Sequence, residues 1–311
     1  MHKLVSICIP TYGRVDILKK TLESFYSVGV SENVYEICIS DNSPTDETKE
    51  MLERFFSNKT NIVYKKSKCD GYYNSIEALK LGRGTFLKLH NNYTKVNHKF
   101  VSFMECIDLY KDSDSVVFFT FGEKKINEKK CEFESFDEFM FCINCLSTWS
   151  TSFGLWKSDF DFLMRENQPL DKMFPHTSLL FRLTNKSKYV VDDVDYFENQ
   201  DVGKKGGYNL PDTFGTRFLG MCELLLKNEI ISEKTFDEIK MKILDFVSIW
   251  FFKVKFYPQK YYFSFDNWEK TIEILYDKKA VSYVKRNYVK NCLKNCFLCR
   301  SFRKIMKMFF C

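Results

Sequence analysis

The sequence lacks the long apolar runs that membrane-spanning helices require. Among its 311 residues, no stretch of ~18 or more uncharged apolar residues occurs. The most apolar stretch, residues 246–252, is followed directly by Lys253 and Lys255. We also expect no signal peptide in the first residues, because the first apolar run ends at Pro10 and no small-residue cleavage site follows. We therefore expect a strand at residues 4–9 and no spanning helix.

Features typical of disulfide-bonded, zinc-binding and dinucleotide-binding proteins are missing as well. The chain has 12 cysteines, but they lie within apolar strand and helix patterns of a chain long enough to bury a full core. Its two C-x-x-C pairs, at 142–145 and 296–299, lack the flanking Cys or His of a zinc knuckle. No G-x-G-x-x-G turn follows a predicted strand. These absences favour a reducing, cytoplasmic compartment and count against a dinucleotide-dependent redox enzyme.

What the sequence does contain is a regular alternation of strand and helix patterns over its first 121 residues. Short apolar runs predict strands at residues 4–9, 34–40, 61–64, 85–89 and 116–121. Between the first two runs, apolar residues recur at helical spacing at Val15, Leu18, Leu22 and Phe25. A capping box of Ser43 and Asp46 predicts the start of a second helix. The alternation predicts a doubly wound, mostly parallel α/β sheet.

Polar residues follow the first two predicted strands, at the edge where doubly wound sheets bind ligands. After the first strand, Thr11 and Tyr12 could hydrogen-bond and stack on a nucleoside, and Arg14 could bind a phosphate. The alternative for this loop is a simple turn before a helix. After the second strand, Asp41 could accept a hydrogen bond from a base or a ribose, or could serve with Ser43 as an ordinary cap.

Three motifs occur in a fixed order in this region. They are Ser-Ile-Cys-Ile-Pro-Thr-Tyr-Gly-Arg at 6–14, Ile-Ser-Asp-Asn-Ser at 39–43, and Gly-Tyr-Tyr-Asn at 71–74. Together they resemble the N-terminal half of family 2 glycosyltransferases with the GT-A fold, over about the first 120 residues. The resemblance implies an inverting enzyme of bacterial surface-polysaccharide synthesis, of the capsule or lipopolysaccharide type, that uses a nucleotide-sugar donor. It also implies a donor nucleotide site formed by Pro10, Thr11, Tyr12, Arg14, Asp41, Gly71 and Asn74.

One departure from the family concerns the residues after the fourth strand. The family usually places an acidic D-x-D motif there, which holds a divalent cation against the donor diphosphate, whereas this chain has His90, Asn91 and Asn92. Mn²⁺ and Mg²⁺ prefer charged oxygen ligands. We therefore expect His90 and Asn92 to be weak metal ligands, and the need for Mn²⁺ or Mg²⁺ stays open.

Cationic side chains are the alternative means of neutralising a leaving diphosphate. A basic, glycine-containing loop that begins with Lys204 and Lys205 could close over phosphates, or could be a solvated surface turn. Lys88 is a second candidate, although a residue in mid-strand is expected to point away from the strand's end.

An inverting transfer also needs a general base for the acceptor hydroxyl. The resemblance implies that this base lies in the second half of the catalytic domain, where residues 171–178 are the one compact cluster of suitable side chains. We expect Asp171 to be the base, with His176 as the second candidate. The alternatives are that Asp171 caps a turn and that His176 bonds the start of the next helix. Trp149 could stack on an acceptor sugar or pack in the core.

The resemblance and the patterns together divide the chain. Residues 1–215 are expected to form the GT-A catalytic domain, with a nucleotide-binding half at 1–121 and an acceptor half at 122–215. Residues 216–311 are expected to form a helical C-terminal region.

Its tail, residues 283–311, alternates Lys and Arg with apolar residues, which is typical of a helix on an anionic membrane surface. A partner protein or a solvated helix is the alternative, and nucleic acid is the least favoured ligand. We expect a cytoplasmic protein, peripheral on the inner face of the membrane, that acts on a lipid-linked or surface glycan. The alternative is an inactive nucleotide-sugar-binding partner of an active transferase.

Overall fold

A computed structural model describes residues 3–203 and 205–297. The chain forms two compact units, Met1–Asp201 and Val202–Cys311. The division lies after residue 201, whereas the sequence places a domain boundary after residue 215. Residues 205–209 form a strand that pairs with residues 261–264, and both strands belong to the second unit.

The first unit contains ten strands and seven α-helices among its described residues. The strands are β1 (Val5–Thr11), β2 (Tyr35–Asp41), β3 (Ile62–Lys66), β4 (Phe86–Leu89), β5 (Thr94–Val96), β6 (Ser115–Phe119), β7 (Lys130–Phe133), β8 (Gly154–Trp156), β9 (Lys188–Asp192) and β10 (Phe197–Asn199). The helices are α1 (Val15–Ser27), α2 (Glu47–Phe55), α3 (Asn74–Leu81), α4 (Phe100–Tyr110), α5 (Phe136–Ile143), α6 (Lys157–Arg165) and α7 (Pro175–Leu180). Short 3-10 helices lie at Gly71–Tyr73, Asn144–Thr148 and Ser150–Ser152.

The main sheet has the strand order β3-β2-β1-β4-β8. The first four strands are parallel, and β8 pairs antiparallel with β4. Every residue of β2 is buried, as expected for a strand covered on both faces. This topology confirms the predicted α/β class with a mostly parallel sheet. The predicted strand at 116–121 corresponds to β6, which lies in a separate sheet of order β6-β9-β7.

The core of the first unit is strongly aromatic. Helix α1 buries Leu18, Leu22 and Phe25 against the sheet, which is the helical face predicted from the spacing. Phe25 packs edge-on against Phe100 of α4, with 5.3 Å between ring centroids. Phe100 in turn stacks on Phe103 at 5.5 Å. The many phenylalanines of the first unit thus join helices α1 and α4 to one face of the sheet.

The predicted capping box at the start of α2 is wrong. The helix begins at Glu47, and the residue before it, Asp46, makes no side-chain cap. Ser43 instead donates its hydroxyl to Asp41 and accepts a hydrogen bond from the backbone N–H of Gly13 at 2.7 Å. The stronger local partner, a buried carboxylate two residues away, takes the serine that a helix N-terminus would otherwise use.

The second unit is mainly helical, as predicted. It contains β11 (Lys205–Asn209), a π-helical segment (Pro211–Phe218), α8 (Leu219–Lys227), α9 (Glu233–Phe256), β12 (Tyr261–Ser264), α10 (Trp268–Leu275) and α11 (Lys278–Phe297). Ser232 caps α9 by accepting from the N–H of Thr235, which confirms the predicted start of that helix.

Helix α11 covers the first part of the predicted basic tail and packs against α9. Residues 298–311 of that tail lie outside the described part of the chain. Among the residues described, no helix is both long enough and apolar enough to cross a bilayer.

Candidate functional site

The ends of β1 and β2 meet at one edge of the main sheet. Thr11 and Asp41 are the last residues of the two strands and lie opposite each other in the parallel register. Beyond β1 the chain turns through two left-handed residues, Gly13 at φ 64° and Arg14 at φ 58°. Helix α1 starts directly afterwards, so the loop between strand and helix is as short as the sequence predicted.

Asp41 is fully buried at this edge and is held by hydrogen bonds. Its carboxylate accepts from the N–H of Ser43 at 2.9 Å, from the Ser43 hydroxyl, and from the Tyr64 hydroxyl at 3.0 Å. Lys66 forms an ion pair with it at 3.4 Å. Burial alone would raise the pKa of Asp41, but these donors and the lysine charge outweigh burial and lower the pKa below its ordinary value. Asp41 is therefore a carboxylate with a fixed orientation.

Asn74, the first residue of α3, is the centre of a second set of hydrogen bonds. Its Nδ2 donates to the carbonyls of Ser40 at 2.9 Å and Thr11 at 3.3 Å, and to Oδ1 of Asn42 at 3.0 Å. Its Oδ1 accepts from the Ser40 hydroxyl at 2.7 Å. One buried amide thus ties β1, β2 and the start of α3 together, as expected if the predicted donor residues form one site.

The residues after β4 reach the same edge, but not all face it. Asn92 is buried and its Nδ2 donates to Oγ1 of Thr11 at 2.9 Å, which joins the end of β4 to the end of β1. Asn91 is half-buried and accepts from the hydroxyl of Ser150 at 2.8 Å. The predicted residues Thr11, Asp41, Asn74 and Asn92 therefore lie within one connected network.

His90 is turned away from this network. Its ring is fully buried between Phe25 and Phe197, at 5.4 and 5.1 Å between centroids, and its Nε2 donates to the carbonyl of Thr94 at 2.7 Å. Burial, reinforced by the nearby Lys88, lowers the pKa of His90 to about 3. A ring enclosed in this way does not fit the role of a metal ligand at the sheet edge. Among the described residues, no group of three or more His, Cys, Asp or Glu side chains is arranged to hold a metal ion.

Other predicted donor residues lie at the rim. Tyr12 is 65% exposed, and Arg14 and Gly71 are also exposed. Pro10 is half-buried within β1, opposite Ser40 of β2. The exposed ring of Tyr12 and the exposed guanidinium of Arg14 follow the buried strand end at Thr11, where a base and a phosphate could bind them. These roles stay predictions.

A second group of predicted residues lies on residues 144–153, which we call the bridging segment, and on helix α7. The segment contains two 3-10 turns and ends directly before β8. Trp149 is half-buried within it. Helix α7 packs against both α3 and the bridging segment. The predicted acceptor residues and the predicted donor residues are thereby joined within one unit.

The two candidates for the general base have different surroundings. Asp171 is half-buried, and its Oδ1 accepts from the N–H groups of Met173 at 2.7 Å and Phe174 at 2.9 Å, so it makes the contacts of a turn cap. His176 is buried, and its Nε2 lies 3.0 Å from the carbonyl of Thr148. A carbonyl only accepts, so Nε2 carries the proton and Nδ1 is the acceptor nitrogen. Burial lowers the pKa of His176 to about 4.

The predicted phosphate loop lies in the second unit. Lys205 is the first residue of β11 and pairs with Tyr261 of β12. Lys204 lies outside the described residues. The role of both lysines toward a diphosphate stays a prediction.

Sequence reasoning missed several residues around Asp41. Ser67 donates its N–H to the Asp41 carbonyl at 2.8 Å and shares a hydrogen bond with the Ser40 hydroxyl at 2.7 Å. Tyr64 and Lys66 contact the carboxylate from β3. The parallel pairing of β3 with β2 was the available signal, because Asp41 and Lys66 are register partners.

Comparison with known sequences finds similarity in the N-terminal segment. Residues 6–85 match the family model for Glycosyl transferase family 2. A 65-residue segment is 40% identical to the abequosyltransferase RfbV of Salmonella typhimurium. That alignment covers 21% of this chain and 20% of RfbV, so the chain matches about a fifth of the relative's length.

Comparison with solved structures concerns nearly the whole chain. TarS 1-349 of S. aureus, in complex with UDP-GlcNAc, superposes with a TM-score of 0.59 at 15% identity, covering 93% of this chain and 89% of that one. The mannosyltransferase PcManGT of Pyrobaculum calidifontis, in complex with GDP-Man and Mn²⁺, superposes with a TM-score of 0.52 at 11% identity. That superposition covers 94% of this chain and 88% of PcManGT. At these identities the likeness shows the fold alone. The predicted GT-A fold is confirmed, and residues 6–85 carry the predicted family 2 glycosyltransferase sequence.

Proposed function

We propose that this protein transfers a sugar from a nucleotide-sugar donor to a glycan acceptor. The observation that carries the proposal is the buried network of Thr11, Asp41, Asn74 and Asn92 at the carboxyl edge of the parallel strands. In open α/β sheets this edge is where ligands bind. Three of the four residues lie within the segment that matches family 2 glycosyltransferases, and the structurally similar proteins include complexes with UDP-GlcNAc and GDP-Man.

In this proposal the donor nucleotide lies on the network. Asp41, ionised and fixed by its donors, accepts a hydrogen bond from the base. Tyr12 stacks on the nucleoside and Arg14 binds a phosphate, since a guanidinium presents a planar fork of donors that matches phosphate oxygens. Gly71 and Asn74 border the ribose and the diphosphate. His90 takes no part, because its ring lies in the aromatic core.

We propose His176 as the general base, because a hydrogen bond to the bridging segment fixes its ring. Its Nε2–H is anchored on the Thr148 carbonyl, which leaves the Nδ1 lone pair to accept a proton from an acceptor hydroxyl. Its pKa of about 4 resembles that of a carboxylate, the commoner base for this chemistry. In its neutral form, His176 would take the proton of the acceptor hydroxyl as the hydroxyl oxygen attacks the anomeric carbon. The nucleotide would leave from the opposite side, so the configuration of that carbon is inverted. Asp171 then acts by capping the turn before α7.

We further propose that the acceptor is a lipid-linked or surface glycan met at the cytoplasmic face of a membrane. Helix α11 supports this, because residues 278–297 contain six Lys or Arg and no Asp or Glu. A helix of that composition favours an anionic surface. The resemblance of the N-terminal segment to an abequosyltransferase supports a polysaccharide substrate.

The test of the donor site is a thermal-shift screen against UDP, GDP, CDP, dTDP and CMP sugars, each with Mn²⁺ and with EDTA. We expect one nucleotide class to raise the melting temperature by several degrees through mass action. A shift that persists in EDTA supports donor binding through side chains. A shift only with Mn²⁺ supports a metal held largely by donor phosphates. The absence of any shift contradicts the proposal.

The test of transfer uses the donor identified in that screen and a lipid-linked acceptor extract. We expect His176→Gln to lower the transfer rate by about a thousandfold while donor binding stays unchanged. Asp171→Asn serves as the control and should change the rate by less than about tenfold if it only caps a turn. Binding without any transfer by the unaltered protein would identify it as an inactive nucleotide-sugar-binding partner.

A further inference from the structure

Lys88 is a fully buried lysine in an aromatic environment. It lies in mid-strand on β4, as the sequence indicated, and its side chain points into the core. Its Nζ is 5.4 Å from the ring centroid of Phe197 and 5.5 Å from that of Phe119. Within residues 3–203 and 205–297, no carboxylate forms an ion pair with it. Burying an amine without a counter-ion is unfavourable, and an apolar side chain of equal length would fill the same space.

The hydrogen bonds of Lys88 account for its presence. Its Nζ donates to the carbonyl of Leu89 at 2.8 Å and to that of Thr151 in the bridging segment. The N–H of Leu89 donates to the carbonyl of Phe153 at 3.1 Å. The amine therefore binds the middle of the bridging segment to the last residues of β4.

The same segment holds the proposed base. Three residues before Thr151, the carbonyl of Thr148 accepts from Nε2 of His176 at 3.0 Å. The preceding carbonyl, that of Ser147, accepts from the hydroxyl of Thr177 at 3.0 Å. Any shift of this short turn would move the carbonyl that fixes the imidazole ring.

We propose that Lys88 is a positioning residue, which holds the bridging segment in place so that the Thr148 carbonyl fixes the ring and tautomer of His176. The inference rests on the proposed role of His176 as the base. A displacement of about 1 Å at a reacting group can lower a rate by about a hundredfold. Loss of the amine should therefore lower transfer while leaving the network around Asp41 and Asn74 intact.

The experiment compares Lys88→Met with the matched control Lys186→Met. Lys186 is also largely buried, but it bridges Asp114 at 2.8 Å and Asp159 at 2.7 Å at the start of β6 and on α6. Long-range ¹⁵N–¹H NMR of the imidazoles reports the tautomer of His176 directly, and the chain has only four histidines, which makes assignment by substitution simple. Transfer rate and donor-binding stoichiometry are measured on the same samples.

For Lys88→Met we expect full donor stoichiometry, a transfer rate about tenfold to a hundredfold lower, and a mixture of His176 tautomers in place of the single Nε2–H form. Lys186→Met should keep the Nε2–H form and the transfer rate of each folded molecule. If Lys88→Met does not fold, Lys88→Gln, a shorter donor, is measured in the same way and should also show mixed tautomers.

An unchanged Nε2–H tautomer in the Lys88 variant would overturn the inference. So would a fall in stoichiometry that accounts for the whole loss of rate, since that is the result of a merely structural lysine. The tautomer does not depend on turnover. A protein that transfers no sugar would therefore contradict the proposed function while the positioning role is still decided by NMR.

Discussion

The two units of the chain place their charge differently. Residues 1–201 contain 26 basic residues (Lys and Arg) and 30 acidic residues (Asp and Glu). Residues 202–311 contain 21 basic and 11 acidic residues. The network of Thr11, Asp41, Asn74 and Asn92 in the first unit is buried and mostly uncharged, and hydrogen bonds connect its strands. From residue 278 onward ten basic residues occur without one acid. In the proposed function, donor binding therefore depends on the geometry of buried polar groups in the first unit, and binding to a membrane depends on surface charge in the second.

The largest expected effect tests the surface charge of the second unit. Arg286, Lys290 and Lys294 are exposed on α11. Reversing all three to Glu should weaken binding to anionic vesicles by about a hundredfold or more, because each basic residue near such a surface contributes about 1 kcal/mol. Vesicle co-sedimentation at physiological salt measures the change, and donor binding should not alter.

The control for this prediction reverses three exposed lysines of the first unit, namely Lys20, Lys49 and Lys68. The total charge change is the same, so only position distinguishes the two variants. Equal loss of vesicle binding in both would show that net charge alone matters and would remove the contrast between the units.

The next effect tests the buried network of the first unit. Asn74→Ala removes one amide that donates to two carbonyls and a side chain, and leaves buried groups without partners. We expect a loss of roughly 3 kcal/mol in the free energy of unfolding and loss of donor binding. Urea denaturation measures the first quantity and calorimetry the second.

A matched asparagine in the second unit provides the comparison. Asn228 donates to the carbonyl of Leu224 at 2.7 Å on an exposed surface. Asn228→Ala should change stability by less than about 0.5 kcal/mol. A similar cost at both positions would mean that the network around Asn74 has no special importance.

A further expected effect concerns pH. Burial lowers the pKa of His90 to about 3 and that of His176 to about 4, from an ordinary 6.5. Below pH 6.5 the unfolded chain therefore binds more protons than the folded chain. The free energy of unfolding keeps its full value above pH 6.5 and decreases as the pH falls toward 4. We expect each of these two histidines to lower the free energy of unfolding by about 1.4 kcal/mol for each pH unit below 6.5. Urea unfolding at neutral pH and near about pH 5 measures it.

Single substitutions assign this slope. His90→Gln should remove about half of it, and His176→Gln should remove most of the remainder. All four histidines lie before residue 201, so the contrast between the units extends to pH. An unaltered slope in His90→Gln would show that other groups cause the acid sensitivity.

The sequence predicts which strand ends lie side by side, because parallel strands bring their carboxyl ends together. Thr11 and Asp41 each follow an apolar run, and that pattern alone indicates that they meet. The orientation of a side chain is less accessible. His90 comes directly after β4, and Asp41 is the last residue of β2. The His90 ring nevertheless turns into the core, because the aromatic residues that surround it come from α1 and β10.

The acceptor side could not be predicted in the same way. The bridging segment is irregular, and the partners of its carbonyls include Lys88, His176 and Thr177. Backbone carbonyls are present at every position, so residue types do not mark the ones that hold a structure together. The preference for His176 over Asp171 depends on such a carbonyl and follows only from the fold.

The hydrogen bonds that hold the bridging segment have an evolutionary consequence. The bridging segment is held chiefly by its main chain, through the carbonyls of Ser147, Thr148, Thr151 and Phe153. Its half-buried side chain Trp149 makes none of these main-chain bonds and can be exchanged while they persist. In the proposed function, acceptor preference would therefore change by few mutations at this position, while the main-chain bonds that fix His176 stay in place.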